Sequence, residues 1–449
     1  MFFDRHETGQ HAFLVDIVLQ RESGRIRPAG EPVEQPDTLG ELRELAEAAA
    51  LSVVADLSLR RREPHAKWFL GSGQLEQLQS QMIEHGADLV IINRELKPAQ
   101  QRNLERFLSC RVITRTELIL EIFAQRASTH EGQLQVELAQ LTHAQTRLVK
   151  GWTHLDRQKG GIGLRGAGEK QIELDQRMLA RRIGRLKQRL DGVRRQRRQS
   201  RRRRMRNSTP TIALVGYTNV GKSTLFNRLT NAEVLVQNQL FATLDPTLRQ
   251  VTLPGAGDLI LADTVGFIRN LPHTLVEAFK ATLEELAKAD LLLHVMDASA
   301  EDMDERRDQV LSVLAEIGAG ELPILEVYNK CDLVRDRTAA DGSLEPDWWN
   351  GSSAAPGRIQ VSATTGYGLE QLKAALVDRI GVDAITVVLS PEAGRTRAWL
   401  HDLGAVVQET ALSNGQMELT VRLTQGSIAR LQQEPGVMLG TTGRTGWTA

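Results

Sequence analysis

Residues 216–223 read Gly216-Tyr217-Thr218-Asn219-Val220-Gly221-Lys222-Ser223. A glycine, four residues and then Gly-Lys-Ser let backbone N–H groups approach phosphate oxygens with no Cβ in the way. The helical character of Thr224–Leu229 places a helix N-terminus, with its partial positive charge, at the same point. The chemistry this spacing predicts is a phosphate cradle from Gly216 to Thr224. In it the Lys222 ammonium reaches the terminal phosphates and the Ser223 hydroxyl ligates Mg²⁺.

Two shorter motifs follow. In Asp263-Thr264-Val265-Gly266 the acid can hold the hydration shell of Mg²⁺, and the glycine N–H can contact a γ-phosphate. In Asn329-Lys330-Cys331-Asp332 the carboxylate can accept from a guanine N1–H and its exocyclic amine. Adenine lacks that donor pair, so Asp332 would select GTP over ATP by leaving groups unpaired on the wrong base. Ser362-Ala363-Thr364 fits a loop closing over the base. Each tetrapeptide alone is common; in this order the set is specific.

These motifs need strands behind them. Ile212–Val215, Leu259–Ala262, Leu291–Met296, Ile324–Tyr328 and Ile359–Val361 are short apolar runs, predicted as strands that alternate with helices over 208–380. Residues 1–130 read the same way. Strands are predicted at Ala12–Leu19, Leu51–Leu59 and Asp88–Asn93, with helices at Thr38–Ala50, Gln74–Glu84 and Pro98–Leu108. Gly71-Ser72-Gly73 is read as a plain turn, not a second nucleotide site. Over 131–207 the apolar residues step helically. Leu134, Leu138, Leu141 and Leu148 share one face, and Leu179, Ile183, Leu186, Leu190 and Val193 form a seam. Between them Gly160, Gly161, Gly163, Gly166 and Gly168 fill five of nine positions, which predicts a non-helical tip on an antiparallel hairpin. Residues 335–357 read as a surface loop. Residues 381–449 read as a small α+β domain, with a hairpin around Ser413-Asn414-Gly415.

Composition sets outer limits. The 449 residues suggest about three domains at roughly 150 residues each. No apolar run approaches the roughly 20 residues of a membrane helix, and Met1–Gln20 lacks the order of a signal peptide. Cys110 and Cys331 are the only cysteines, which fits a reducing cytoplasm without a disulfide framework. Aromatics make up 4%, too few for a broad base-stacking platform. Lys+Arg and Asp+Glu both number 56, and that neutral total argues at first against a nucleic-acid partner. Yet Arg181–Arg206 carries 14 Lys/Arg and one acid, Asp191, so this segment is +13 and the remainder −13. A run this dense is expected to release counterions from RNA phosphates, with backbone contact favoured over base reading.

The chain resembles the translation-factor-type P-loop GTPases, and within them the HflX family. The nucleotide motifs carry the wider likeness. The narrower one rests on Phe241-Ala242-Thr243-Leu244-Asp245-Pro246-Thr247, on Asp263 through His273, on Ala278 through Glu285, on Arg126 through Leu141, and on Gly160 through Glu169. It covers roughly residues 8–435.

The resemblance implies a Ras-like, mostly parallel P-loop domain at 208–380. It implies that Thr243 is the switch I threonine ligating Mg²⁺ and that Phe241, Ala242, Thr243, Leu244 and Asp245 line the nucleotide. Lys222, Thr243 and Gly266 would be the catalytic set. Asn219 has two readings, a turn-forming asparagine or the asparagine with which some relatives hold K⁺ near the phosphates. Gly160–Gly168, with Arg165, and the basic Arg194 and Arg195 would contact rRNA of the large ribosomal subunit, the protein acting as a monomer. Phe267 stands where many GTPases place a water-orienting glutamine, so slow intrinsic hydrolysis is expected, raised when a partner orders the switches or when K⁺ supplies charge. Three functions stay open: a factor that splits stalled or idle 70S ribosomes under stress, a large-subunit assembly GTPase, and a non-ribosomal regulatory GTPase.

Overall fold

The computed structural model describes residues 10–19, 38–152, 167–205, 209–230, 240–241, 244–254, 257–269, 286–334, 358–380, 383–403, 405–412, 415–423, 427–428, 431–432 and 434–440. They group into two compact units. The first runs to Val193 and takes in Leu240, Phe241 and Leu244; the second holds the rest. The division between them falls after Val193, inside the expected 131–207 segment.

In the first unit, β1 (His11–Leu19) is buried over six consecutive residues, so both its faces are covered. It pairs in parallel with β2 (Ser52–Arg61) and β3 (Leu89–Ile92), and β3 pairs with β4 (Arg111–Thr114), in the order β2-β1-β3-β4. The connecting helices are α1 (Thr38–Ala48), α2 (Ser72–His85) and α3 (Pro98–Leu108). α4 (Arg115–Arg126) follows β4 directly. Phe13, Val15 and Ile17 pack with Leu75, Leu78, Met82 and Leu104 as one core. Gly71 caps α2 rather than forming a glycine fingerprint. β4 and α4 escaped the sequence reading because a four-residue strand beginning with arginine carries no period. The helix start is nevertheless encoded: the Thr114 hydroxyl accepts from Glu117 N–H at 3.4 Å, and the Glu117 carboxylate accepts from Thr114 N–H at 2.8 Å.

α5 (His130–Trp152) and α6 (Ala167–Met205) form the two expected long helices. Leu134 and Leu141 of α5 are buried with Leu179, Ile183, Leu186 and Leu190 of α6, and Arg182 pairs with Glu137 across the seam, Nε to Oε1 at 2.8 Å. One expectation is corrected: the glycine run does not exclude helix to its end, because α6 begins at Ala167 and includes Gly168. In a first helical turn the N–H groups lack intrahelical partners anyway, so glycine costs least there. Residues 153–166 lie outside the described part.

In the second unit, β5 (Thr211–Val215), β6 (Thr247–Leu253), β7 (Gly257–Asp263), β8 (Leu291–Asp297), β9 (Ile324–Asn329) and β10 (Arg358–Gln360) form one sheet. Its order is β10-β9-β8-β5-β7-β6. All pairs are parallel except β6 with β7. The helices are α7 (Lys222–Thr230), α8 (Met303–Glu316) and α9 (Leu369–Arg379). After β5 the chain adds β7 on one side and β8 on the other, so the end of β5 is the switch point where open α/β sheets bind ligands. The polar edge strand β6 (TLRQVTL) was not foreseen, because only one of its faces meets the core.

The C-terminal part is a second, antiparallel sheet of β11 (Asp383–Leu389), β12 (Val406–Ala411), β13 (Met417–Leu423) and β14 (Val437–Leu439) in the order β12-β13-β11-β14. β12 and β13 are the expected hairpin. Ile385, Val387 and Leu389 alternate inward with Leu419, Val421 and Leu423, packing beside Leu400 of α10 (Gly394–Asp402). No helix among the described residues is long and apolar enough to cross a membrane.

Candidate guanine nucleotide site

β5, β7, β8, β9 and β10 end along one edge of the sheet, and every nucleotide motif sits there. The loop after β5 has the backbone its glycines allow. Gly216 (φ 149) would put a Cβ 2.2 Å from the Val295 carbonyl oxygen, and Gly221 (φ 90) one 2.3 Å from Asn329 Nδ2. Asn219 is left-handed (φ 61) and exposed, a conformation asparagine tolerates well. That geometry accounts for the residue type as a turn former, without invoking a cation.

Lys222 is buried at the start of α7, donating to the carbonyls of Gly216 at 3.0 Å and Tyr217 at 2.6 Å. Burial pushes its ammonium down to about 8, against the opposing pull of the Asp263 carboxylate. The Ser223 hydroxyl donates to Asp263 Oδ2 at 2.7 Å. A hydroxyl and a fully buried carboxylate side by side suit a hard cation that takes its remaining oxygens from phosphate and water. Ser223 as ligand and Asp263 through water therefore fit Mg²⁺. Val220 is buried behind the loop, and Thr224 is half-buried in the first turn of α7.

The stretch after β7 lies against this cradle. Thr264 Oγ1 donates to the Leu214 carbonyl at 2.6 Å, and Val265 is buried. Gly266 has no room for a side chain: a Cβ would stand 2.7 Å from Thr218 Cγ2 and 3.0 Å from Lys222 Nζ. The next residue is tied by its backbone. Thr218 N–H donates to the Phe267 carbonyl at 2.8 Å, and Phe267 N–H to the Gly216 carbonyl at 3.1 Å. The Phe267 ring is buried.

On the base side, Asn329 is a brace. Its Nδ2 donates to the Val220 carbonyl at 2.8 Å, and its Oδ1 accepts from Ala363 N–H at 3.0 Å, so it joins the phosphate loop to the loop after β10. Lys330, left-handed at φ 62, pairs with Asp297 at the end of β8 at 2.7 Å. Cys331 is fully buried. Asp332 is half-buried, and its Oδ1 is enclosed with no hydrogen-bond partner among the described residues. An oxygen so placed is suited to donors from a ligand. Ser362 is buried, its hydroxyl 3.0 Å from Thr364 Oγ1 and accepting from Thr365 N–H at 3.2 Å. Thr364 itself is exposed. Sequence reading missed Asp297 and Arg228, whose Nε donates to the Ala363 carbonyl at 3.0 Å. An acid one residue beyond the apolar run Leu291–Met296 was the available signal for the first; the second had none.

Of the expected 241–245 stretch, Phe241 is left-handed at φ 56 and buried, its ring meeting Phe123 edge-on at 4.7 Å. Leu244 is also buried, Asp245 is half-buried, and Ala242 and Thr243 lie outside the described residues. So do Gly160, Gly161, Gly163, Arg165 and Gly166. Gly168 and Arg194 have helical backbone in α6, and Arg195 is exposed there.

Three family models match successive stretches of the chain: "GTP-binding GTPase N-terminal" over residues 36–124, "GTP-binding GTPase Middle Region" over 126–204 and "50S ribosome-binding GTPase" over 211–330. A relative from Escherichia coli (strain K12), "GTPase HflX", is 46% identical over 97% of this chain and 99% of its own length. Another of the same name, from Magnetococcus marinus, is 47% identical over 88% of this chain and 90% of its own. Among solved structures, a GTP-binding protein from Sulfolobus solfataricus in complex with GDP aligns with a TM-score of 0.42 at 24% identity, over 82% of this chain and 98% of that one.

Proposed function

From the premise that the chain belongs to the HflX family of GTPases, we propose that it binds the large ribosomal subunit in the cytoplasm and separates stalled or idle 70S ribosomes under stress. Like the family, it binds GTP and hydrolyses it to GDP and phosphate. The observation that carries the ribosomal reading is the surface of α6. Arg181, Arg185, Lys187, Arg189 and Arg195 are all exposed, within a segment of net charge +13. A phosphate-rich surface neutralises such a charge run, releasing counterions as it does so.

In the nucleotide site, Lys222 and the cradle N–H groups bind the phosphates. Asp332 accepts from guanine, and Gly266 brings a main-chain N–H to the terminal phosphate. We assign Ser223, Thr243 and, through water, Asp263 to Mg²⁺, which when bound draws charge from the β- and γ-phosphate oxygens. Phe267 cannot orient water, so hydrolysis is slow until a partner orders this region. The Gly160–Gly168 stretch with Arg165, and Arg194 and Arg195, are assigned to rRNA.

Light scattering of 70S particles with GTP tests the reading. Scattering should fall with the intact protein. It should stay high with Lys222→Ala and with residues 160–168 deleted, even where the deletion still binds GTP. GTP turnover should rise when large subunits are added. K⁺ compared with Na⁺ in the same assay tests Asn219 as an ion ligand. Splitting that survives the loop deletion, or turnover indifferent to large subunits, overturns the assignment. Binding restricted to precursor subunits would favour an assembly role instead.

A further inference from the structure

With phenylalanine at position 267, the Asp263–Arg269 stretch is held by contacts other than a polar side chain at that position. Two backbone hydrogen bonds already join Phe267 to Gly216 and Thr218. Beyond them lies a closed ring of side chains. The Tyr217 hydroxyl accepts from Arg269 N–H at 2.5 Å. The Arg269 guanidinium, only 5% exposed, pairs with Asp302 at 2.6 Å and Glu305 at 3.2 Å, both at the start of α8. Asp302 also pairs with Arg306 at 2.7 Å, and Arg306 lies over the Tyr217 ring at 4.9 Å. The ring therefore begins and ends on the phosphate loop.

A buried guanidinium needs its carboxylates, because an unpaired charge at that depth is strongly unfavourable. The cation over the Tyr217 face adds a weaker attraction and fixes the ring that carries the hydroxyl. Apart from the local Asp302–Arg306 pair at the start of α8, each contact crosses between segments far apart in sequence, so the stretch is held from α8 on one side and from the phosphate loop on the other.

We propose that Arg269 is a positioning residue for GTP hydrolysis. Through Asp302, Glu305 and Tyr217 it holds residues 266–269 against the phosphate loop, working with the Phe267 backbone bonds to keep the Gly266 main chain beside Thr218 and Lys222. Arg269 itself touches no reacting atom. Its effect is on geometry, and small displacements at a reacting centre cost on the order of a hundredfold in rate.

The test is single-turnover hydrolysis with the full-length protein, alongside GDP affinity by fluorescence titration. Arg269→Ala should lower the rate constant by about tenfold or more with GDP affinity unchanged within about twofold. Tyr217→Phe removes only the accepting oxygen and should show the same split more weakly. Arg269→Lys keeps the charge on a shorter side chain that lacks the planar guanidinium, and should lie between Arg269→Ala and the unsubstituted protein. Should Arg269→Ala fail to fold, Tyr217→Phe and Arg269→Lys carry the test. A rate constant unchanged or raised in the variants overturns the proposal. So does a parallel fall of rate and GDP affinity, which would make the ring a brace of the phosphate loop alone.

Discussion

Lys222 links nucleotide affinity to pH. Its ammonium is buried against the Gly216 and Tyr217 carbonyls, and burial pushes it down to about 8 from 10.5. Burial lowers the folded-state value below that of the unfolded chain, so the folded protein binds the proton more weakly. Burial of the charged lysine therefore costs the fold about 3 kcal/mol while Lys222 is charged. That penalty is relieved as pH rises from about 8 toward 10.5. Phosphate oxygens reverse the preference, since an anion beside the ammonium favours its charged form. Below pH 8 nucleotide meets a lysine already protonated; above it, binding must take up a proton. With a free-site value of about 8, affinity should fall about sixfold between roughly pH 7 and pH 8.8, near 1 kcal/mol. At the upper pH close to ~0.9 proton should be absorbed per nucleotide bound. Calorimetric titration with GDP in two buffers of different ionisation enthalpy measures both quantities. An affinity flat across this range, with no buffer-dependent heat, would refute the burial-driven shift.

Two further outcomes concern the rest of the site. Asp332→Ala removes the enclosed Oδ1 to which guanine recognition is assigned above. Competition binding should show guanine nucleotide affinity reduced by roughly a hundredfold or more and the preference over adenine nucleotide lost. Gly266→Ala places a methyl group 2.7 Å from Thr218 Cγ2 and 3.0 Å from Lys222 Nζ. Single-turnover hydrolysis should slow by about tenfold or more as this stretch is pushed off the cradle, and an unchanged rate would show that the stretch does not need that close approach.

What the sequence alone determined is local in origin. The phosphate loop, the Asp263–Gly266 and Asn329–Asp332 motifs and the limits of α3 all depend on residues a few positions apart, whose backbone demands can be read from spacing. Charge segregation toward Arg181–Arg206 was legible for the same reason, once the neutral average was broken into segments. Strands β4 and β6 were not, because a four-residue or half-polar strand has no period of its own and forms only against its neighbour. Tertiary structure decided which motif residues face a ligand and which hold the site together. Asn329 braces two loops, 109 positions from Val220 and 34 from Ala363. Phe241 packs on Phe123, and Arg269 reaches Asp302 across 33 positions. The depressed Lys222 value belongs here too, since desolvation is set by whatever the folded chain places around the ammonium. Sequence spacing carries backbone geometry, whereas burial and pairing arise only when distant segments meet.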